Sequence, residues 1–137
     1  MDKSKVVKLL NQALALEYAT VIRYSTQAAV LTGPYAGPIG DKLKTFAAEE
    51  LGHSNVLRDR LVALGEKPTT NVGEIEVGNK LKKMLDINID EEKDAIKLYK
   101  QLMKLIPKDE DLLLYETVED LICDEQRDLE ELERMVD

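Results

Sequence analysis

Cysteine is nearly absent from this chain of 137 residues, which contains only Cys123. A single cysteine cannot form an internal disulfide, and it cannot supply the four thiolates of a zinc ribbon or a rubredoxin-type module. We therefore expect Cys123 to be a small buried hydrophobe. An electron-transfer module built on four cysteines is excluded from this sequence.

Long apolar runs are absent as well. No stretch of about 18 apolar residues offers a membrane span, and the first ten residues, MDKSKVVKLL, are too polar for a signal peptide. The chain has 19 basic against 27 acidic residues and a net charge of -8, which argues against binding to a nucleic-acid backbone. We expect a cytoplasmic protein with neither a membrane nor nucleic acid as a partner.

The remaining composition suits one helical domain. With 44% hydrophobic and 34% charged residues, the chain can bury one sizeable core but not two, so we predict a single domain over residues 1–137. Glycine and proline divide it at TGPYAGP (32–38), at 65–78 and at Pro107. Apolar residues recur at three- and four-residue spacing in the four segments between these breaks. This pattern predicts an all-α four-helix bundle.

The connections indicate the topology of the bundle. Links of roughly seven and about three residues suit antiparallel neighbours, the first between helices one and two and the second around Pro107. The middle link of about 14 residues could just span a helix of about 40 Å if it were extended. We therefore predict an up-down-down-up bundle with one long crossover between helices two and three. The alternative is a loosely folded middle loop.

Each predicted helix carries acid on its apolar stripe. The acidic residues are Glu17, Glu50, Glu92 and Glu125, and the only histidine, His53, and Asp128 follow the second and the fourth by three residues. We expect no lysine or arginine on the stripes at that level. Burying an unpaired carboxylate costs several kcal/mol, and clustered carboxylates repel one another, so they must be protonated or neutralised by cations. Divalent metal ions are the simplest solution.

The two halves of the sequence repeat each other after a shift of 75 residues. The shift pairs Leu10 with Leu85, Leu14 with Ile89, Glu17 with Glu92, Tyr24 with Tyr99, Phe46 with Leu121, Glu50 with Glu125 and His53 with Asp128. Two such helix pairs pack most simply with approximate two-fold symmetry, which brings four glutamates to one level. Glutamates combined with Glu-x-x-His spacing are the arrangement that supplies a dinuclear metal centre in a bundle.

Four segments carry a resemblance to a known family: LNQALALEY (10–18), EELGH (49–53), MLDINIDEEKDA (84–95) and DEQRD (124–128). Over nearly its whole length the chain resembles the ferritin-like di-iron carboxylate family, most closely bacterioferritin. The resemblance implies two iron ions, one bound by Glu17, Glu50 and His53, and the other by Glu92 and Glu125. It also implies that Glu50 and Glu125 bridge the two ions. Tyr24 corresponds to a tyrosine beside the metal site and is the candidate catalytic residue.

Two positions depart from bacterioferritin. Asp128 stands where a second histidine is expected, and we predict that it ligates through oxygen, with hydrogen bonding or a surface-facing position as alternatives. Five carboxylates, one neutral imidazole and two divalent ions would leave a formal charge of about −1. Such a site favours Fe(III) or Mn, and Zn is possible. Leu51 stands where a methionine would ligate haem, so we predict no haem.

The resemblance implies a ferroxidase-type protein that oxidises Fe(II) with O2 or peroxide and serves iron handling or storage. Two alternatives remain open: a peroxide-scavenging enzyme of the rubrerythrin type with an external reductant, and a structural Zn or Mn site in a homo-oligomer. We also expect a homo-oligomer, a dimer at least, because four apolar residues are predicted on the outer faces: Val6, Leu9, Leu98 and Leu113.

Overall fold

A computed structural model describes residues 1–136, which contain four α-helices and no strand. The helices are α1 (Lys3–Val30), α2 (Ala36–Ala63), α3 (Leu81–Lys104) and α4 (Leu112–Arg134). The predicted all-α four-helix bundle is confirmed. None of the helices in this range is long and apolar enough to cross a membrane.

The helix ends differ in detail from the sequence prediction. Helix α2 begins at Ala36, before Pro38, because a proline in the first turn lacks only an N–H that has no partner there. The link between α3 and α4 spans residues 105–111 rather than about three residues. Its end is set by Asp111, whose side chain accepts a hydrogen bond of 3.0 Å from the backbone N–H of Leu114. Helices α3 and α4 have 24 and 23 residues, four or five fewer than α1 and α2.

The link between α2 and α3 is an ordered crossover along α1. Three hydrogen bonds hold it to successive positions of that helix: Thr69 N–H to Asn11 Oδ1 (2.9 Å), Gly73 N–H to Ala15 O (3.0 Å) and Gln27 Nε2 to Val77 O (2.8 Å). Gly73 permits the close approach, since an added Cβ would lie 3.3 Å from Ala15 O. The crossover therefore runs parallel to α1, and the loosely folded alternative is wrong.

Contacts between α1 and α3 fix the direction of the second helix pair. They join Gln27 to Asn88, Tyr24 to Glu92 and Glu17 to Tyr99. The residue number falls along α1 as it rises along α3, so these two helices are antiparallel. The predicted up-down-down-up topology is confirmed.

The core consists of two apolar clusters separated by a polar layer. The cluster near the start of α1 includes Leu10, Leu14, Leu57, Leu61, Leu102 and Leu114. The cluster near its end includes Tyr24, Leu43, Phe46, Met84, Leu85 and Leu132. On all four helices the acidic stripe residues fall between the two clusters, so apolar side chains close the layer at both ends.

Several predicted surface and core positions are wrong. Val6 is fully buried and Leu98 is 7% exposed, because both face the interior cluster rather than an outer face. Leu9 is half-buried, and only Leu113 is exposed as predicted, at 56%. Cys123 is exposed instead of buried, since it lies off the apolar stripe of α4. Formation of a homo-oligomer stays a prediction.

Candidate metal centre

Six side chains of the polar layer converge in the middle of the bundle. They are Glu17 on α1, Glu50 and His53 on α2, Glu92 on α3, and Glu125 and Asp128 on α4, each between 1% and 5% exposed. The three-residue spacing on α2 and α4 places both members of each pair on the same helix face, one turn apart. The structure thus brings together all six residues that the sequence singled out.

The six residues form two overlapping sets. Ligating atoms of Glu17, Glu50, His53 and Glu125 lie within 4.8 Å of one another, and so do those of Glu50, Glu92, Glu125 and Asp128. Glu50 and Glu125 belong to both sets. Each set offers four ligating atoms close enough together to hold a cation.

Each of the six side chains also keeps one buried polar atom without a hydrogen-bond partner in the described chain. These atoms are Glu17 Oε2, Glu50 Oε1, His53 Nδ1, Glu92 Oε2, Glu125 Oε1 and Asp128 Oδ2. Buried polar atoms are nearly always paired, because leaving them unpaired costs free energy. Six such atoms in one layer fit a site for cations.

His53 is oriented by a residue that the sequence reading missed. Its Nε2 lies 3.0 Å from Asp124 Oδ2, on the side of the ring opposite to Glu17, Glu50 and Glu125, which lie near Nδ1. Its Nδ1 lies 2.8 Å from Glu125 Oε1, but this contact lacks the direction of a hydrogen bond. Metal-binding histidines commonly place a carboxylate on the second ring nitrogen. That rule, applied to the acid next to Glu125 in DEQRD, is the signal that could have identified Asp124.

Two tyrosines contact the layer in symmetric positions. The Tyr24 hydroxyl donates a hydrogen bond of 2.6 Å to Glu92 Oε1, and the Tyr99 hydroxyl donates one of the same length to Glu17 Oε1. The shift of 75 residues exchanges these two pairs. Each hydroxyl occupies one carboxylate oxygen and leaves the other, Oε2, directed into the layer without a partner.

Burial and mutual repulsion raise the pKa values of three carboxylates of the layer in the metal-free protein. Burial raises the pKa of Glu50 and that of Glu92 well above the ordinary range, and neighbouring carboxylates raise them further. Burial and the nearby charge of Glu49 raise the pKa of Asp128 to about 9. The metal-free layer therefore holds protons at neutral pH, which a bound cation would have to displace.

His53 and Glu125 behave differently, because they are opposite charges in contact. Burial alone would lower the pKa of His53, but Glu125 and Glu17 outweigh it and raise this pKa to about 11. Burial would raise the pKa of Glu125, whereas the contacts with Glu92 and with the charged His53 keep it below its usual value. In the metal-free state the imidazolium takes part of the role that a metal ion would have.

Arg23 is a second interior residue that the sequence reading missed. Arg23 is 1% exposed and lies one position before Tyr24 on α1, beside the predicted stripe. Its Nε donates a hydrogen bond of 3.0 Å to Asn88 Oδ1, and Asn88 donates to Gln27 Oε1 at 2.8 Å. Neither Asn88 nor Gln27 belongs to the predicted stripes, so the apolar pattern gave no signal for this network.

The fold and the buried layer together define a class of protein: a four-helix bundle whose interior presents carboxylates from every helix. Comparison with known proteins gives the family. The profile described as a ferritin-like domain matches residues 7–137, so the chain belongs to the ferritin-like family. The predicted resemblance to this family and to bacterioferritin is confirmed.

The relatives are similar over most of their length. The bacterioferritin of Desulfovibrio desulfuricans is 28% identical over 128 residues, which cover 93% of this chain and 72% of that protein. The bacterioferritin of Brucella melitensis is 26% identical over 134 residues, which cover 97% of this chain and 83% of the relative.

Solved structures agree with this comparison. A ferritin-like, diiron-carboxylate protein from Bacillus anthracis superposes with a TM-score of 0.96 at 28% identity, covering 100% of this chain and 99% of the other. The structure of the Desulfovibrio desulfuricans bacterioferritin gives a TM-score of 0.89 at 28% identity, over 97% of this chain and 78% of the other.

Proposed function

We propose that this protein binds two iron ions between its two helix pairs and oxidises Fe(II) with O2 or peroxide, as part of iron handling. The observation that carries the proposal is the set of six buried, unpaired ligating atoms in two overlapping groups. Coordination of cations would satisfy these atoms and neutralise the clustered carboxylates.

The proposed ligands follow from the two groups. Glu17 and His53 would hold one ion, Glu92 and Asp128 would hold the other, and Glu50 and Glu125 would contact both. We propose Asp128 as a direct ligand, because it belongs to the second group and its buried Oδ2 has no hydrogen-bond partner among residues 1–136. A donor set of oxygens with one imidazole suits iron and manganese and is compatible with zinc.

Hydrogen bonds from neighbouring residues would orient the ligands for the metal. Tyr99 and Tyr24 each occupy one oxygen of a terminal glutamate and direct the other inward, while Asp124 occupies Nε2 of His53 and leaves Nδ1 free to ligate. Bound iron would supply the electrons that reduce the oxidant. Tyr24 is the proposed catalytic residue because it corresponds to the tyrosine beside the metal site in the family that the chain resembles, and its buried hydroxyl contacts the ligand Glu92.

The relatives support iron as the metal. The solved Desulfovibrio desulfuricans bacterioferritin is described with a diiron site in different catalytic states, and the Bacillus anthracis protein as a diiron-carboxylate protein. Both are 28% identical to this chain over nearly its whole length. A redox-active pair of iron ions is therefore favoured over a purely structural Zn or Mn site.

We also propose that the protein binds no haem through α2. Leu51 is 51% exposed, and its side chain offers no atom that can ligate iron. Protein purified from cells supplied with haem should show no haem absorption band. Such a band would refute this part of the proposal.

The test of the proposed function is anaerobic loading with Fe(II), followed by rapid mixing with O2 or peroxide. We expect two Fe(II) per chain and fast growth of ferric absorbance. One ion or none, or oxidation no faster than that of free Fe(II), would contradict the proposal. Faster reaction with peroxide than with O2, without ferric mineral, would instead identify a peroxide-scavenging enzyme.

A further inference from the structure

The two halves of the repeat differ in the charge of their interior residues at two positions. At the first, His53 in one half corresponds to Asp128 in the other, which adds a carboxylate to the half that contains Glu92. At the second, Arg23 corresponds to Leu98 after the same shift of 75 residues. Arg23 and Leu98 are both buried, at 1% and 7% exposure, so this second difference also lies in the interior.

The guanidinium of Arg23 has no close anionic partner. Its Nε is bound to Asn88 Oδ1, but Nη1 and Nη2 are buried and have no hydrogen-bond partner within residues 1–136. The nearest carboxylate oxygen, Oε2 of Glu91, lies 3.9 Å from Nη1 on a partly exposed side chain. An arginine stays charged in proteins, and an unpaired buried charge is destabilising. Glu91, at this distance and partly exposed to solvent, offsets the charge only in part.

Arg23 lies beside the half of the site that carries the additional carboxylate. Its Cζ is 5.1 Å from the centre of the Tyr24 ring, and the Tyr24 hydroxyl donates to Glu92, which belongs to the same ligand set as Asp128. In the other half, the residue before Tyr99 is the uncharged Leu98, and the ligand set contains His53, whose imidazole is neutral when it binds a metal ion. The additional cation, Arg23, and the additional anion, Asp128, are thus both associated with the half that contains Glu92.

We propose that Arg23 is a charge-balancing residue for the metal ion of the Asp128 half. The inference rests on the proposed function, since it assumes two bound divalent ions. Five carboxylates, a neutral imidazole and two divalent ions carry a formal charge of about −1, and Arg23 supplies the compensating positive charge. The ligands, the two ions and Arg23 together are then neutral. The other half needs no arginine, because it has the neutral His53 in place of Asp128, and Leu98 stands at the position that corresponds to Arg23.

The test is a double-mutant cycle on the full chain saturated with Zn(II), a redox-inactive probe. Zinc per chain and urea unfolding are measured for the unaltered protein, Arg23→Gln, Asp128→His and the double variant. We expect Arg23→Gln to raise the unfolding equilibrium constant roughly tenfold more in the unaltered background than in the Asp128→His background. This difference is the size expected for one interaction between unit charges in a protein interior. Arg23→Lys, which keeps the charge, should retain most of this coupling.

Two further variants separate charge balance from structure. Arg23→Leu copies the residue of the other half and replaces Arg23→Gln if that variant does not fold. Glu91→Gln removes the carboxylate nearest to Arg23 and should show no coupling to Asp128→His. Equal losses from Arg23→Gln in both backgrounds would overturn the inference and leave Arg23 as a support for Asn88. Fewer than two Zn(II) in the unaltered chain would overturn the metal site itself, and the charge balance with it.

Discussion

Asp124 Oδ2 lies 3.0 Å from His53 Nε2, on the side of the imidazole opposite to Nδ1. This contact decides which ring nitrogen is available. With Nε2 bound to Asp124, Nδ1 points at the buried carboxylates of Glu17, Glu50 and Glu125. A histidine held in this way can give its Nδ1 lone pair to a cation once its proton is displaced.

Asp124→Asn should therefore weaken metal binding without removing a ligand. An amide can still contact Nε2, but it carries no charge to support the imidazole. We expect the affinity for one Zn(II) to fall by about 10- to 100-fold, as measured by competition with a chromophoric chelator. Asp120→Asn, an exposed position on the same helix, is the matched control and should change nothing. Equal effects of the two substitutions would show that Asp124 acts only through the general charge of α4.

The two overlapping ligand sets predict unequal losses of metal. Glu50→Ala and Glu125→Ala each remove a residue common to both sets, so both ions should be lost or strongly weakened. Asp128→Ala removes a residue of one set, and the chain should retain one ion. Metal per chain after Zn(II) or anaerobic Fe(II) loading distinguishes these cases, with the exposed Glu119→Ala as the control. Retention of both ions in Asp128→Ala would place residue 128 outside the site.

The metal-free protein should lose stability as the pH rises. The folded-state pKa of Asp128 is raised to about 9 and that of His53 to about 11, and the pKa values of Glu50 and Glu92 are also raised. A group with a raised pKa stabilises the fold below its unfolded-state pKa, and that stabilisation is lost as the pH rises towards the folded-state pKa. The thermal unfolding midpoint of the metal-free chain should thus decrease as the pH rises from about 5 to about 9.

Metal loading supplies the comparison for this pH dependence. Bound cations replace the protons, so the metal-loaded protein should show a much flatter dependence over the same range, and Zn(II) affinity should rise with pH. Calorimetric scans of both forms at several pH values measure the difference. A metal-free protein that becomes more stable between pH 5 and pH 9 would show that the acids are not clustered as described.

The two tyrosines test whether Tyr24 has more than a positioning role. Tyr24→Phe and Tyr99→Phe remove equivalent hydrogen bonds to Glu92 and Glu17, and both variants should still bind two ions. If Tyr24 takes part in the oxidation, Tyr24→Phe should slow it by about tenfold more than Tyr99→Phe, or about 1.4 kcal/mol of activation free energy. Equal slowing, measured by rapid mixing of Fe(II)-loaded protein with O2, would assign both tyrosines to carboxylate positioning alone.

The sequence predicted the parts of this molecule that follow from periodicity. The apolar stripes gave four helices, the repeat placed Glu17 opposite Glu92, and the length of the middle link indicated the crossover. Helix spacing of three or four residues is a strong signal, because it reflects one face of each helix. Side chains on that face therefore converged as expected.

Residues beside the stripe were the ones that sequence alone missed. Arg23 and Asp124 each precede a stripe residue by one position, about 100° around the helix, where a polar side chain normally faces solvent. Arg23 is buried against α3, where its Nε donates a hydrogen bond to Asn88 Oδ1, and the crossover lies on α1 nearby, where Val77 O accepts from Gln27. The packing of a helix against distant segments is a tertiary effect. Val6 and Leu98 were misplaced because they face the interior cluster rather than an outer face.

The most direct test of the central claim is a crystal structure of the Fe(II)-loaded protein, with anomalous scattering measured at the iron absorption edge. The account predicts two anomalous peaks in the polar layer of each chain, with Glu50 and Glu125 contacting both and Asp128 contacting only the one beside Glu92. A single peak, or peaks confined to the surface acids, would contradict it.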